Sequence, residues 1–314
     1  MRDMPNQKIA ILGATSHIAK GLIYNFDKEK RHNLFLFARN LKKLRNFLKQ
    51  INCKSSSKIN TFEKFANYNY DVIINCVGLG TPKKVKKANG NIFKLTEKFD
   101  NIILNYLTND NNKTLYINIS SGAVYGTDFT KPVNYSTFSK WNVNNIKESE
   151  YYGITKLYSE AKHRSLEHLN IVDLRVFSYF SRFIELDSGY LLTDIIACIR
   201  NKKKIITSNE NITRDFVHPK DLFELIRKCM NKKNINDAFD VYSKKVITKF
   251  EILNFFKKNY NLEYEIDNNI NVYSITGKKS EYYSRSKKAQ KLGYLPKFVS
   301  VESIITESKE ILNK

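Results

Sequence analysis

Apolar residues in the first half of the chain alternate between two spacings. Short, largely apolar runs rich in β-branched and aromatic residues predict buried strands. These runs lie at 8–12, 34–38, 71–78, 115–121 and 171–177. Apolar residues three or four positions apart predict helices between them, starting near Ile18 and spanning 41–49, 93–107 and about 152–167. Regular strand–helix alternation of this kind is typical of an α/β fold with a doubly wound parallel sheet.

After residue 177 the pattern changes to shorter strands, helices and polar loops. We therefore predict two domains. Residues 1–177, joined by 213–240, form the doubly wound domain, and residues 178–212 with 241–314 form a smaller substrate-binding lobe. The chain has only five prolines and no repeat or low-complexity linker, so we expect the two lobes to be interwoven.

The composition favours a cytoplasmic protein with a large core. A chain of 314 residues with 42% hydrophobic content can bury a substantial interior. No run of 18 or more apolar residues predicts a membrane span. The polar start of the chain leads straight into a strand and argues against a signal peptide. The scattered cysteines form no CxxC pair, so we interpret them as reduced thiols and expect no metal site; they are Cys53, Cys76, Cys198 and Cys229.

The net charge of +22 allows two interpretations. A strongly basic chain can bind nucleic acid. Here, however, the basic residues are spread along the chain, they lie on the polar faces of predicted helices such as 41–49, and Lys, Asn and Ile are abundant throughout. We therefore favour a solvated surface whose positive field attracts an anionic small molecule, and we expect no nucleic-acid partner.

Tyr152 and Lys156 carry the most informative chemistry. Residues four apart on one helix lie on the same face, one turn from each other. A phenol with an ordinary pKa of about 10 is a poor acid–base catalyst at neutral pH, but a neighbouring ammonium lowers that pKa. The pair is therefore a candidate for exchanging a proton with a substrate oxygen near neutral pH.

The first strand runs into a turn suited to a dinucleotide. Gly13-Ala14-Thr15-Ser16-His17-Ile18-Ala19 lies between this strand and a helical pattern, where free backbone N–H groups bind pyrophosphate. Only the first of the usual three glycines is present, although Ser16 and Ala19 are small. The alternative is an ordinary strand–helix turn. We predict cofactor contacts here and at the end of the 71–78 strand, from Gly13, Thr15, Ser16, His17, Ile18, Asn75, Val77 and Gly78.

Two serines end the 115–121 strand. Ligands of open parallel sheets bind at this edge, and a hydroxyl of Ser120 or Ser121 can donate to a developing alkoxide. Taken alone, the serines are better explained as partners of turn backbone groups. The serines become candidates for catalysis only in combination with the Tyr152–Lys156 pair and the Gly13–Ala19 turn.

Together, the segments resemble the extended short-chain dehydrogenase/reductase family, which comprises NAD(P)-dependent nucleotide-sugar epimerases, dehydratases and reductases. GATSHIA, SSGAVYG and YYGITKLYSEA are similar to its phosphate turn, its serine-bearing strand end and its YGxSKxxxE helix. TRDFVH, and SKKA followed by LGYLP, match later segments, so the resemblance covers nearly the whole chain. It implies a Rossmann fold.

The resemblance also implies roles for individual residues. Tyr152 is the acid/base, Lys156 its partner and Ser121 the third catalytic member, with Tyr152 and Lys156 also contacting the cofactor. Substrate contacts are implied for Gly122, Ala123, Ser178 and Arg214, the last with a substrate diphosphate. Ser178 departs from the family, which often has Asn at that position.

The end of the second strand bears on the choice of cofactor. NAD enzymes place an acid there, which bonds the ribose 2′-hydroxyl and repels a 2′-phosphate. This chain has Phe37-Ala38-Arg39-Asn40, and Arg39 can pair with that phosphate. We predict a preference for NADP(H) over NAD(H). The alternative is that Arg39 is an ordinary surface residue.

The strand-end motif also bears on the reaction. Family dehydratases carry an acidic pair where this chain has Gly122 and Ala123, so a 4,6-dehydratase is disfavoured. We predict NADPH-dependent reduction of the 4-keto group of a nucleotide-linked deoxysugar, in the synthesis of surface-polysaccharide precursors. The alternatives are an epimerase with tightly bound cofactor and a non-catalytic nucleotide- or RNA-binding member. A homodimer is common in similar proteins.

Overall fold

The computed structural model describes residues 6–88, 90–109, 111–269 and 279–313. The remaining positions fall within the predicted domains and lie outside the described residues. The strands are β1 (Lys8–Leu12), β2 (Asn33–Phe37), β3 (Ser57–Asn60), β4 (Val72–Asn75), β5 (Leu115–Ser121), β6 (Ile171–Val176), β7 (Ser178–Tyr179), β8 (Ile205–Thr207), β9 (Thr213–Arg214), β10 (Phe216–Val217), β11 (Asn236–Val241), β12 (Ile247–Thr248), β13 (Tyr264–Ile266) and β14 (Glu281–Tyr282).

Seven of these strands form one parallel sheet in the order β11-β6-β5-β4-β1-β2-β3. The strand order reverses at β1, which lies between β2 and β4. Ligands of such sheets bind beyond the carboxyl ends of the strands at this switch point. The topology confirms the predicted doubly wound α/β fold.

Helices cover both faces of the sheet. They are α1 (His17–Glu29), α2 (Leu41–Gln50), α3 (Pro82–Ala88), α4 (Asn91–Thr108), α5 (Glu148–Arg164), α6 (Leu191–Arg200), α7 (Pro219–Met230), α8 (Lys249–Tyr260) and α9 (Ser300–Leu312). Ile9 and Ile11 of β1 pack in the apolar cluster of α1, α2 and α7, whereas Ala10 and Leu12 pack in the cluster that includes α4. Burial on both faces explains why these strands are apolar at successive positions.

Helix α5 begins earlier than the apolar spacing predicts. It starts at Glu148, four residues before Tyr152, and ends at Arg164. The backbone N–H of Lys147 donates to the carboxylate of Glu150 at 2.6 Å, and acidic residues in a first turn are stabilised by the helix dipole. This first turn is stabilised by polar capping, so it carries no apolar signal.

A third apolar cluster joins α6, α8 and α9. Short strands surround it, with β8 paired to β13 and β9 paired to both β12 and β14. The boundaries proposed for the two domains stay a prediction. In the described ranges, no helix combines the length and the apolarity needed to cross a membrane.

Candidate active site

The turn between β1 and α1 is closely packed against the end of β4. Gly13 has a φ of +73°, and a Cβ there would lie 2.9 Å from the backbone of Cys76 and Val77. Only glycine combines this backbone conformation with this close approach. Ser16 then caps α1, accepting the N–H of Ala19 at 3.4 Å. The turn therefore has the form of a phosphate cradle with a serine cap where the second glycine is usual.

The side chain of His17 contacts β7. Its ring packs edge-on against Tyr179, with centroids 4.9 Å apart, and burial lowers its pKa to about 4. The imidazole is therefore neutral at neutral pH. What His17 and Ile18 can offer an anion is the backbone N–H at the start of α1, because the first N–H groups of a helix lack helical partners.

Basic residues border the same edge of the sheet. Arg39 is exposed at the end of β2. Lys43 of α2 and Lys84 of α3 both pair with Glu185. The pKa of Glu185 is lowered to about 2, mainly by its hydrogen bond with Lys43, although partial burial acts in the opposite direction. The field of Lys43 and Lys84 also reaches Lys20, whose pKa is lowered mainly by burial. Cations outnumber carboxylates in this group, which suits a ligand that carries phosphate.

The side chain of Asn75 makes two hydrogen bonds at the end of β4. Its side-chain oxygen accepts the N–H of Val77 at 3.0 Å, and its amide donates to the hydroxyl of Tyr116 at 3.1 Å. Val77 is half-buried and Gly78 is exposed. The backbone after Asn75, more than its side chain, is therefore placed to border a ligand.

The two serines at the end of β5 have different surroundings. Ser120 Oγ donates to Glu160 at 2.6 Å. Ser121, which is 6% exposed, accepts the N–H of Ala123 at 3.2 Å and lies 3.3 Å from the hydroxyl of Tyr282. Successive residues of a strand face opposite sides. Ser120 is thus bonded to α5, whereas Ser121 lies beside the hydroxyl of Tyr282.

Helix α5 lies directly against the short 3₁₀ turn Gly122–Tyr125 that follows β5. A Cβ on Gly153 would lie 2.5 Å from the carbonyl oxygen of Ala123, so the contact requires glycine. Lys156 is buried and donates to the carbonyl oxygen of Ile119 at 3.1 Å. This packing brings the helix face that carries Tyr152 and Lys156 to the end of β5.

Tyr152 is half-buried and has two tyrosine neighbours. Burial raises the pKa of Tyr190 and of Tyr282, and the phenol of Tyr152 raises both further. Because Tyr282 also contacts Ser121, the structure brings Tyr152, Lys156 and Ser121 to one edge of the sheet.

Two basic side chains lie near the ring of Tyr282. Arg214 donates to the carbonyl oxygens of Thr213 and Lys279 at 2.8 and 2.7 Å, and burial lowers its pKa to about 10. The Lys279 ammonium lies 4.2 Å from the ring centroid of Tyr282, and burial together with Arg214 lowers the pKa of Lys279 to about 7. Ser178 lies in β7, which pairs with β10.

Three residues at this edge escaped the sequence analysis. They are Tyr190, whose hydroxyl donates to the carbonyl oxygen of Gly80, together with Lys279 and Tyr282. None belongs to a recognisable motif. Tyr190 lies at the N-terminus of α6, and the pairing of β14 with β9 places Tyr282, close to Lys279, at this edge. No local signal in the sequence identifies them.

The sequence places the chain in a family. A model of the NAD dependent epimerase/dehydratase family matches residues 9–243, and the chain belongs to that family. This confirms the resemblance and the prediction of an NAD(P)-dependent enzyme of this class. No curated protein matches the chain significantly in sequence.

Solved structures resemble the fold over its whole length. A mutant of UDP-glucuronic acid 4-epimerase from Bacillus cereus, in complex with UDP-4-deoxy-4-fluoro-glucuronic acid and NAD, has a TM-score of 0.80 at 17% identity, covering 98% of this chain and 99% of that one. ADP-L-glycero-D-manno-heptose-6-epimerase from Helicobacter pylori gives 0.78 at 17%, covering 99% and 98%. dTDP-glucose 4,6-dehydratase from Bacillus anthracis, in complex with NAD, gives 0.77 at 13%, covering 98% and 97%.

Proposed function

We propose that the protein uses NADPH to reduce the C4 ketone of a nucleotide-linked deoxysugar, in the synthesis of surface-polysaccharide precursors. The observation that carries this proposal is the grouping of Ser121, Tyr152 and Lys156 at the sheet edge, with Gly122 and Ala123 directly after the serine. These two residues offer no carboxyl group to protonate a leaving hydroxyl. The motif therefore supports reduction more than dehydration.

The hydroxyl groups of this cluster stabilise charge and transfer the proton. When bound, the reduced nicotinamide supplies a hydride to the carbonyl carbon. The sugar oxygen then gains negative charge, which a hydrogen bond donated by Ser121 stabilises. Tyr152 transfers its phenolic proton to that oxygen, and the Lys156 ammonium favours the phenolate that remains. Solvent reprotonates Tyr152 after release of the alcohol.

The binding residues follow from the same geometry. The Gly13–Ala19 turn and the first N–H groups of α1 fit the pyrophosphate of a dinucleotide, and Arg39 with Lys43 suits a 2′-phosphate. Arg214 and Lys279 suit the diphosphate of the substrate. A homodimer and a cytoplasmic location stay part of the proposal.

Epimerisation at C4 is the second candidate function. It is favoured by the full-length fold similarity to the Bacillus cereus UDP-glucuronic acid 4-epimerase, a structure that contains NAD. In that reaction, Tyr152 would accept the proton of the C4 hydroxyl and later return it. The protein would then hold its cofactor through the cycle and need no added reductant.

The two candidates give different products. We would incubate the purified protein with 4-keto GDP-, CDP-, UDP- and dTDP-sugars and NADPH or NADH, and separately with the 4-hydroxy sugars without cofactor. A reductase consumes one NADPH for each alcohol formed, whereas an epimerase inverts C4 without consuming reductant. Salt-dependent RNA binding that Tyr152→Phe does not change, without turnover of any sugar, would instead support a non-catalytic binder.

Cofactor preference has its own test. Replacing Arg39 by serine should weaken NADP(H) binding by about tenfold, as expected for the loss of one charge-assisted hydrogen bond, and should leave NAD(H) binding unchanged. Fluorescence titration of both dinucleotides with wild type and variant measures this. NAD(H) binding as tight as NADP(H) in the wild type would contradict the predicted preference.

A further inference from the structure

A second tyrosine approaches the catalytic serine from the opposite lobe. The pairing of β14 with β9 carries Tyr282 to the end of β5, where its hydroxyl lies 3.3 Å from Ser121 Oγ. Its ring is 6% exposed. Phe129 and Phe177 pack against that ring at centroid distances of 4.7 and 5.2 Å. The ring is therefore held firmly, and its hydroxyl has a defined position.

The hydrogen bonds around Ser121 limit what its hydroxyl can do. A serine hydroxyl has one hydrogen and two lone pairs. One lone pair accepts the N–H of Ala123 at 3.2 Å. If Tyr282 donates to the second lone pair, the hydrogen of Ser121 is left for a third partner. If Ser121 donates to Tyr282, that hydrogen is consumed within the protein.

The chemistry of the two hydroxyl groups favours donation by Tyr282. A phenol is a stronger acid than an aliphatic alcohol, so it is the better donor and the weaker acceptor of this pair. Burial raises the pKa of Tyr282, with a further contribution from the nearby phenol of Tyr152. Tyr282 therefore keeps its proton at neutral pH and stays a donor.

We propose that Tyr282 is a positioning residue: its hydroxyl donates to Ser121 and so directs the single Ser121 hydrogen towards the substrate oxygen beside Tyr152. This inference rests on the proposed function, in which Ser121 donates to the oxygen that gains charge. It assigns the reaction a hydroxyl from the smaller lobe, 161 residues from Ser121 along the chain.

Tyr282→Phe removes the hydroxyl and retains the ring and its contacts with Phe129, Phe177 and Lys279. We expect kcat to fall about tenfold, less than the roughly hundredfold loss expected for Ser121→Ala, which removes the donor itself. The KM for the nucleotide sugar, the Kd for the dinucleotide and the Tm should stay at wild-type values. Tyr283→Phe, at the half-buried neighbour of Tyr282, is the matched control and should leave kcat unchanged.

The double variant distinguishes positioning from an independent effect. If Tyr282 acts through Ser121, then Ser121→Ala combined with Tyr282→Phe is no slower than Ser121→Ala alone. Losses that multiply would overturn the proposal, as would an unchanged kcat in Tyr282→Phe. If the Phe variant fails to fold, Tyr282→Met removes the same donor and is subject to the same comparison.

The two proposals fail in different ways. A wild-type enzyme that Ser121→Ala slows but Tyr282→Phe does not would overturn the role of Tyr282 and leave the proposed function intact. A wild-type protein that turns over no nucleotide sugar, as ketone or as alcohol, would overturn both.

Discussion

Each half of helix α5 contains a buried basic side chain, but the surroundings of the two side chains differ. In the C-terminal half, His163 is fully buried and both ring nitrogens are bonded, to Asp100 at 2.8 Å and to Asp173 at 2.9 Å. In the N-terminal half, Lys156 is also buried and donates to the Ile119 carbonyl oxygen. Because an ammonium has three hydrogens to donate, Lys156 keeps capacity for a ligand, counting only partners among the described residues.

This difference separates structural polar groups from candidate catalytic ones. Glu160, one turn after Lys156, accepts from Ser120 and from the guanidinium of Arg175, so its oxygens are committed within the fold. Burial of a charged group therefore does not mark a site by itself. Capacity for further hydrogen bonds, at the edge of the sheet where ligands bind, is the more informative property.

The largest effect should come from the N-terminal half. Tyr152→Phe removes the proton donor and should lower kcat by roughly 10³-fold, within the range of general acid–base catalysis. The Tm should not change, because the ring remains. Tyr151→Phe is the matched control, since that ring packs on Phe93, and it should keep most of the activity. A Tyr152→Phe enzyme with wild-type turnover would remove Tyr152 from the mechanism.

Substitution in the C-terminal half should affect stability instead. His163→Gln leaves Asp100 and Asp173 without their shared cation, although Lys162 and Arg164 still contact them. We expect a loss of about 3 kcal/mol in the free energy of unfolding, at the lower end for breaking a buried ion pair. Urea denaturation measures it. The exposed His168 provides the control, and His168→Gln should cost nothing measurable.

Local patterns in the sequence predict part of the fold and part of the candidate site. Apolar runs and the Tyr152–Lys156 spacing predict five of the seven strands of the sheet and a pair of candidate catalytic residues, because strands and helix faces follow from residue periodicity. The partner of Ser121 could not be predicted in this way. Tyr282 meets that serine only through pairing of short strands distant in sequence. The cluster around His163 depends on packing between α4, α5 and the sheet, and a lone histidine in a helix carries no signal for it.

The His163 cluster should also make stability depend on pH. Burial alone would lower the pKa of His163, but Asp173 and Asp100 outweigh it and raise that pKa to about 9. A histidine with a raised pKa stabilises the fold fully below its ordinary value of about 6.5, and this contribution is lost as pH rises through 9. Wild-type protein should therefore lose stability between those values.

The His163→Gln variant is the control for this dependence. Its free energy of unfolding, measured by urea denaturation at both ends of this pH range, should change less than that of the wild type. The wild-type loss should stay below the effect of the substitution itself, because neutral imidazole still bonds to one carboxylate. Equal slopes in the two proteins would show that other groups cause the dependence.

Gly153→Ala should give the smallest effect. It is the substitution expected to lower both stability and activity. Its Cβ would lie 2.5 Å from the Ala123 carbonyl oxygen and 2.8 Å from the ring of Trp141, so α5 must move away from the end of β5. We expect a cost of about 1–2 kcal/mol in unfolding free energy, typical of overpacking. We also expect about a tenfold loss of kcat, because small displacements of catalytic groups are costly.

Gly90→Ala, where a Cβ meets open space, controls for the added methyl group. Lost stability with unchanged kcat would show that Tyr152 does not depend on this contact for its position.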